Sequence, residues 1–120
     1  MSQPRALVAV AAELQQQVID ALDGWELHVS PDGEDAIGCL WEASPDLVVI
    51  DFDLPRMTAY DLVRHLCMRR PELLCRTLIL VEHDDAARAL LEDVAIGCTL
   101  EKPFDADSFA RAAESCRTSS

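Results

Sequence analysis

Short apolar runs alternate with segments of helical period along the chain, and this alternation constrains the fold more than any other feature. Five runs have the length and aliphatic content of strands, and they lie at residues 6–11, 26–29, 47–50, 78–81 and 98–100. Between them, apolar residues recur at the spacing of one helix face, as Leu14, Val18 and Leu22 do. Strict alternation of strand and helix predicts a parallel sheet covered by helices on both faces. We therefore predict a three-layer α/β/α fold.

The chain length and the positions of glycine and proline between the predicted elements indicate that residues 1–120 form a single domain. Gly24 is placed to end the first helix, and Pro45-Asp46 precedes the third strand. A further apolar stripe of Leu62, Val63, Leu66 and Cys67 predicts a helix with these four side chains in the core.

Charge and composition exclude several classes of partner. The formal net charge is −12, and such an acidic surface repels phosphate backbones, so no nucleic acid binding is predicted. Apolar stretches are too short for a membrane span and no signal peptide pattern is present, which predicts a cytoplasmic protein. The histidines His28, His65 and His83 lack metal-ligand spacing, so none is predicted to bind a metal.

Charged residues follow the predicted strands at their carboxyl ends, where open parallel sheets bind ligands. The third strand ends in Asp51, the fourth is followed by Glu82, and the fifth by Glu101-Lys102. An aspartate beside a lysine can attack a phosphoryl group while the ammonium holds a phosphoryl oxygen. A structural ion pair explains the same spacing, and the spacing alone leaves both interpretations open.

Three blocks stand in a fixed order: residues 24–37, residues 45–55 with Pro-Asp-Leu-Val-Val-Ile-Asp and Leu-Pro, and residues 101–105 with Glu-Lys-Pro-Phe-Asp. Together they resemble the response regulator receiver family, of the chemotaxis-regulator type, over nearly the whole chain. The resemblance implies a five-stranded parallel sheet of order 2-1-3-4-5. It also implies that Asp51 is the phosphoacceptor position, with Lys102 as its charge partner, served by a histidine kinase or phosphotransfer protein.

The cation site of that family is altered in this sequence. The family has two acidic residues at the end of its first strand, which hold Mg²⁺, and this chain has Ala11 and Ala12 there. Methyl groups cannot ligate a cation that takes about six oxygens. Glu13 and Asp53, beside the Asp51 position, are the remaining candidate ligands, and Mg²⁺ binding is in doubt.

Two switch positions of the family are also altered. Glu82 stands where the family has a threonine or serine that binds the phosphoryl group, and we predict that it pairs with Lys102. Thr99 stands where the family has an aromatic residue that moves between two positions. Both changes weaken the expected link between phosphorylation and output.

These observations favour an atypical receiver that signals by protein contact through the region from Asp84 to Cys116, rather than an enzyme. The alternative is a conventional receiver phosphorylated at Asp51 by a histidine kinase, and a homodimer is a further open arrangement. A flavodoxin-like enzyme or nucleotide-binding protein is disfavoured, because no glycine-rich phosphate loop follows the first strand.

Overall fold

The computed structural model describes residues 3–30, 32–42, 45–52, 59–81 and 98–118. The strands are β1 (Arg5–Ala9), β2 (Glu26–Ser30), β3 (Leu47–Asp51), β4 (Thr77–Val81) and β5 (Cys98–Glu101). They form one parallel sheet in the order β2-β1-β3-β4-β5. The predicted fold class and strand order are confirmed.

The described ranges contain four α-helices and one 3₁₀ helix. They are α1 (Ala12–Ala21), α2 (Gly33–Glu42), α3 (Ala59–Arg69), the 3₁₀ helix Pro71–Arg76 and α4 (Ala106–Thr118). Gly24 follows α1 with φ +88°, a left-handed conformation that glycine adopts without strain. The helix itself ends at Ala21 with Leu22 as its C-cap, so the predicted C-cap position of Gly24 is wrong by two residues and Gly24 lies in the turn that follows.

Alternate residues of the central strands bury their side chains in two separate cores, one on each face of the sheet. Ala9, Ile50 and Val81 belong to the core that α2 and α3 cover. Val8, Val49 and Leu80 belong to the core that α1 and α4 cover, which includes Phe109. Because β3 is buried along its whole length, its terminal Asp51 is held in a rigid, largely apolar frame.

Two predictions about this frame are wrong in detail. β1 ends at Ala9, and Ala11 is the N-cap of α1 rather than the last strand residue. Cys67 is exposed, whereas Leu62, Val63 and Leu66 are buried. Cys67 lies at the margin of the stripe, one residue past Leu66, where the helix surface turns toward solvent.

No helix in the described part of the chain is both long enough and apolar enough to span a bilayer.

Candidate functional site

Asp51 is the last residue of β3 and its side chain is completely buried. β3 lies between β1 and β4 in the middle of the sheet. The Phe52 backbone N–H donates a hydrogen bond to the Leu80 carbonyl at 2.9 Å, so the ladder between β3 and β4 continues past Asp51. A buried carboxylate is costly unless it is paired and hydrogen-bonded, and its partners therefore define the site.

The first partner is Lys102, which directly follows β5. Its Nζ donates a hydrogen bond to Asp51 Oδ1 at 2.6 Å, and only 14% of its side chain is exposed. The Lys102 backbone N–H donates to the Val81 carbonyl at 2.8 Å, which fixes the start of the side chain at the same sheet edge. The predicted proximity of Asp51 and Lys102 is confirmed as a buried ion pair.

The second partner is a backbone group that the sequence did not reveal. The N–H of Ala11 donates a hydrogen bond to Asp51 Oδ2 at 3.0 Å. Ala11 is the N-cap of α1, so its N–H precedes the helix and has no partner within it. A backbone donor leaves no mark on residue identity, and only the prediction that a helix starts beside the β3 end could have suggested it. Both Asp51 oxygens therefore accept a hydrogen bond.

The segment that carries Lys102 is anchored on both sides. The Gln17 side-chain amide donates to the Phe104 carbonyl at 2.7 Å, and the Phe104 and Phe109 rings stack with their centroids 5.4 Å apart. The Ser108 backbone N–H donates to Asp105 Oδ1 at 2.7 Å, which caps α4. This hydrogen bond lowers the pKa of Asp105 below its ordinary value. These contacts fix the backbone immediately after Lys102, whose side chain reaches Asp51.

The two residues at the junction between β1 and α1 carry no side-chain oxygen for a hard divalent cation. Ala11 and Ala12 occupy the junction between β1 and α1, and their methyl groups supply no ligand atom. Glu13 lies in the first turn of α1 and is exposed. In the described part of the chain, the cation in contact with Asp51 is the Lys102 ammonium.

Other predicted site residues are placed apart from this pair or are not described. Thr99 lies in β5 and is exposed. Asp53 and Glu82 fall outside the described residues, as do all of residues 84–97 before β5. The predicted Glu82–Lys102 pair therefore stays a prediction beside the observed pairing of Lys102 with Asp51.

Comparison with known sequences identifies the family. The model of the response regulator receiver domain matches residues 9–114. The transcriptional regulatory protein DegU of Brevibacillus brevis is 31% identical over 83 residues, which cover 68% of this chain and 34% of the relative. The chain spans about a third of the length of the curated relatives it matches.

Solved structures share the fold at low sequence identity. The chemotaxis response regulator CheY4 of Vibrio cholerae has a TM-score of 0.82 at 21% identity, with 96% of this chain and 99% of that chain covered. The receiver domain of the sensor histidine kinase PA1611 of Pseudomonas aeruginosa, solved with magnesium in its active-site cleft, has a TM-score of 0.85 at 19% identity, covering 99% and 100%. With the family match over residues 9–114, the sheet order and the buried Asp51–Lys102 pair, this chain belongs to the response regulator receiver domains, which are signalling modules of two-component systems rather than enzymes.

Proposed function

We propose that this receiver domain signals by protein–protein contact, with Mg²⁺-dependent phosphorylation of Asp51 weak or absent. The observation that carries the proposal is the pair of alanines at the β1–α1 junction. Ala11 donates its N–H to Asp51 Oδ2, yet neither Ala11 nor Ala12 has a side-chain oxygen. The backbone contact of the site is thus present without the carboxylates that would neutralise a divalent ion.

Electrostatics favours this conclusion over ordinary cation binding. Mg²⁺ demands near-ideal octahedral oxygen coordination and gives up its water reluctantly, so one or two well-placed carboxylates decide whether it stays. Here the Asp51 charge is already balanced by Lys102 at 2.6 Å. A divalent ion must compete with that ammonium without carboxylates at Ala11 and Ala12, and Glu13 in the first turn of α1 is exposed.

A conventional receiver, phosphorylated at Asp51 by a histidine kinase, is the competing hypothesis, and one observation favours it. The Asp51–Lys102 pair is intact, with the ammonium in contact with the carboxylate that would be phosphorylated. Under this hypothesis Asp53, Glu13 or a remodelled loop would supply the missing cation ligands.

Partner binding is assigned to the region from Asp84 to Cys116, whose described part runs from β5 through α4. The outer side of α4 carries exposed charged residues, among them Asp107, Arg111 and Glu114. A surface of this kind suits a polar protein interface better than an apolar or nucleic acid ligand. We propose a histidine kinase or phosphotransfer protein upstream and a protein partner downstream, and the cytoplasmic location stays a prediction from the sequence.

The decisive experiment is incubation with acetyl phosphate and Mg²⁺, followed by intact mass measurement. The proposal predicts little or no phosphate adduct on the wild-type chain. Asp51→Asn is the matched control, since it removes the acceptor oxygen and any adduct formed there. A stoichiometric adduct that disappears in Asp51→Asn contradicts the proposal and establishes the conventional receiver instead.

A further inference from the structure

The edge strand β2 carries polar side chains on the face that α2 covers. Leu27 and Val29 pack against the core under α1 and α4. The residues between and beside them, Glu26, His28 and Ser30, alternate with this apolar pair. β2 therefore presents a polar row to α2 at a place where the central strands present aliphatic residues.

Three side chains of different ligand chemistry meet along this row. Cys39 Sγ lies 2.8 Å from His28 Nε2 and 3.9 Å from Asp35 Oδ2. His28 Nε2 lies 3.7 Å from Asp35 Oδ2. This group is not recognisable from the sequence, because His28 is on a strand while Asp35 and Cys39 are one helical turn apart on α2.

The geometry points to a Zn²⁺ site: we propose that His28, Asp35 and Cys39 bind one zinc ion, with water as the fourth ligand. Imidazole nitrogen, thiolate sulfur and carboxylate oxygen are the donors that zinc accepts in proteins. Zinc–ligand distances of about 2.0–2.3 Å in a tetrahedron place neighbouring ligand atoms about 3.3–3.6 Å apart. The observed separations of 2.8, 3.7 and 3.9 Å bracket that range, so side-chain adjustments below about 1 Å complete the geometry.

Charge and access support the same proposal. A thiolate at Cys39 and a carboxylate at Asp35 together balance the charge of Zn²⁺, with His28 neutral. The His28 and Asp35 side chains are 59% and 47% exposed, so an ion and its water can reach them. His28 and Cys39 also line a cavity of about 360 Å³ with Leu7, Leu27 and Pro45.

Two of the ligands are held in place by the helix itself. The Asp35 backbone N–H donates to Asp32 Oδ1 at 2.9 Å, which caps the start of α2. The Asp32 cap thereby fixes the turn that carries Asp35, and the next turn carries Cys39. Binding of zinc across these residues would join the edge strand β2 to α2.

This site is separate from the Asp51 edge. His28 pairs in register with Leu7, and Leu7 with Val48, three residues before Asp51. Two strand spacings and three residues along a strand correspond to roughly 14 Å. Zinc binding therefore does not rest on the proposed signalling mode, and either can fail without the other.

Titration with Co²⁺ tests the site, using the tag-free, reduced chain of 120 residues. Cobalt replaces zinc and reports thiolate ligation by a charge-transfer band and tetrahedral geometry by strong visible bands. We expect one equivalent of Co²⁺ to produce both sets of bands and Zn²⁺ to abolish them. Cys39→Ser should remove the charge-transfer band, whereas the matched control Cys67→Ser, which removes an exposed thiol of α3, should keep it.

His28→Gln provides a second variant that leaves every thiol in place. It should weaken Zn²⁺ affinity, measured by competition with a chromophoric chelator, at least about tenfold. Absence of the bands in wild-type protein, their persistence in Cys39→Ser, or their loss in Cys67→Ser would overturn the assignment. Circular dichroism of each variant, compared with wild type, separates loss of a ligand from loss of the fold.

Discussion

The two polar clusters of this domain, at Asp51 and at His28, differ in how far their charged side chains are buried. At the sheet edge, Asp51 is fully buried and Lys102 is 14% exposed, so the carboxylate is neutralised by a cation of the chain itself. Beside β2, His28 and Asp35 are about half exposed and can exchange partners with solvent. Burial commits Asp51 to a cation of the chain itself, whereas exposure leaves the second cluster able to bind a cation from solution.

The largest effect is expected from breaking the buried pair. Lys102→Met leaves the Asp51 charge inside the protein without its ammonium, and loss of one partner of a buried pair costs about 3–5 kcal/mol. We expect the free energy of unfolding in urea to fall by that amount at neutral pH. The double variant Asp51→Asn/Lys102→Met should be less destabilised than the sum of the two single variants, because neither charge is then stranded. Additive losses would show that the contact contributes nothing.

The next largest effect is expected from adding carboxylates at the junction between β1 and α1, which should give this edge of the sheet a cation site. Ala11→Asp combined with Ala12→Asp places two carboxylates beside Asp51, so we expect Mg²⁺ affinity to rise at least about tenfold, equivalent to about 1.4 kcal/mol. Thermal denaturation provides the readout: Mg²⁺ should raise the Tm of the variant and leave that of the wild type unchanged. Equal Mg²⁺ responses of the two proteins would contradict the role assigned to the alanines.

A smaller effect concerns the cap that anchors the Lys102 segment. The Ser108 N–H lowers the pKa of Asp105 below its ordinary 3.8, so the folded state favours the charged carboxylate. The resulting stabilisation is present above the unfolded pKa and is lost as the pH falls through the lower folded pKa. Asp105→Ala should therefore lower the Tm at neutral pH and flatten its fall in acid. The control is Asp107→Ala in the same helical turn, which keeps the cap; an unchanged acid profile in Asp105→Ala would refute the capping role.

The smallest effect is expected at an ion pair that shares the chemistry of Asp51–Lys102 but not its burial. Arg5 Nε and Glu26 Oε2 are 3.4 Å apart, with side chains 61% and 60% exposed. Exposed pairs contribute about 0.2–1 kcal/mol at most, so Arg5→Gln should change the unfolding free energy far less than Lys102→Met. A loss as large as that of Lys102→Met would show that burial is not what separates the two pairs.

The sequence predicted the strands of the sheet and the residues at their ends, because the spacing of apolar residues depends directly on which side chains are buried. The apolar period placed β3, and the position of Asp51 after it followed from where the run stops. Lys102 was placed opposite because carboxyl ends of parallel strands share one edge.

The remaining details depend on contacts that residue identity does not encode. The Ala11 N–H was missed because every non-proline residue has one. His28 and Cys39 are brought together by the packing of α2 on β2, and neither element alone carries all three side chains of the cluster.

We propose that the edge beside Asp51 does not hold a divalent cation. Titration of the wild-type protein with Mg²⁺, followed by the amide NMR signals of Ala11, Phe52 and Lys102, tests it most directly. The account predicts no saturable shift of these signals at millimolar Mg²⁺. Saturable shifts at cellular Mg²⁺ levels, abolished in Asp51→Asn, would contradict it.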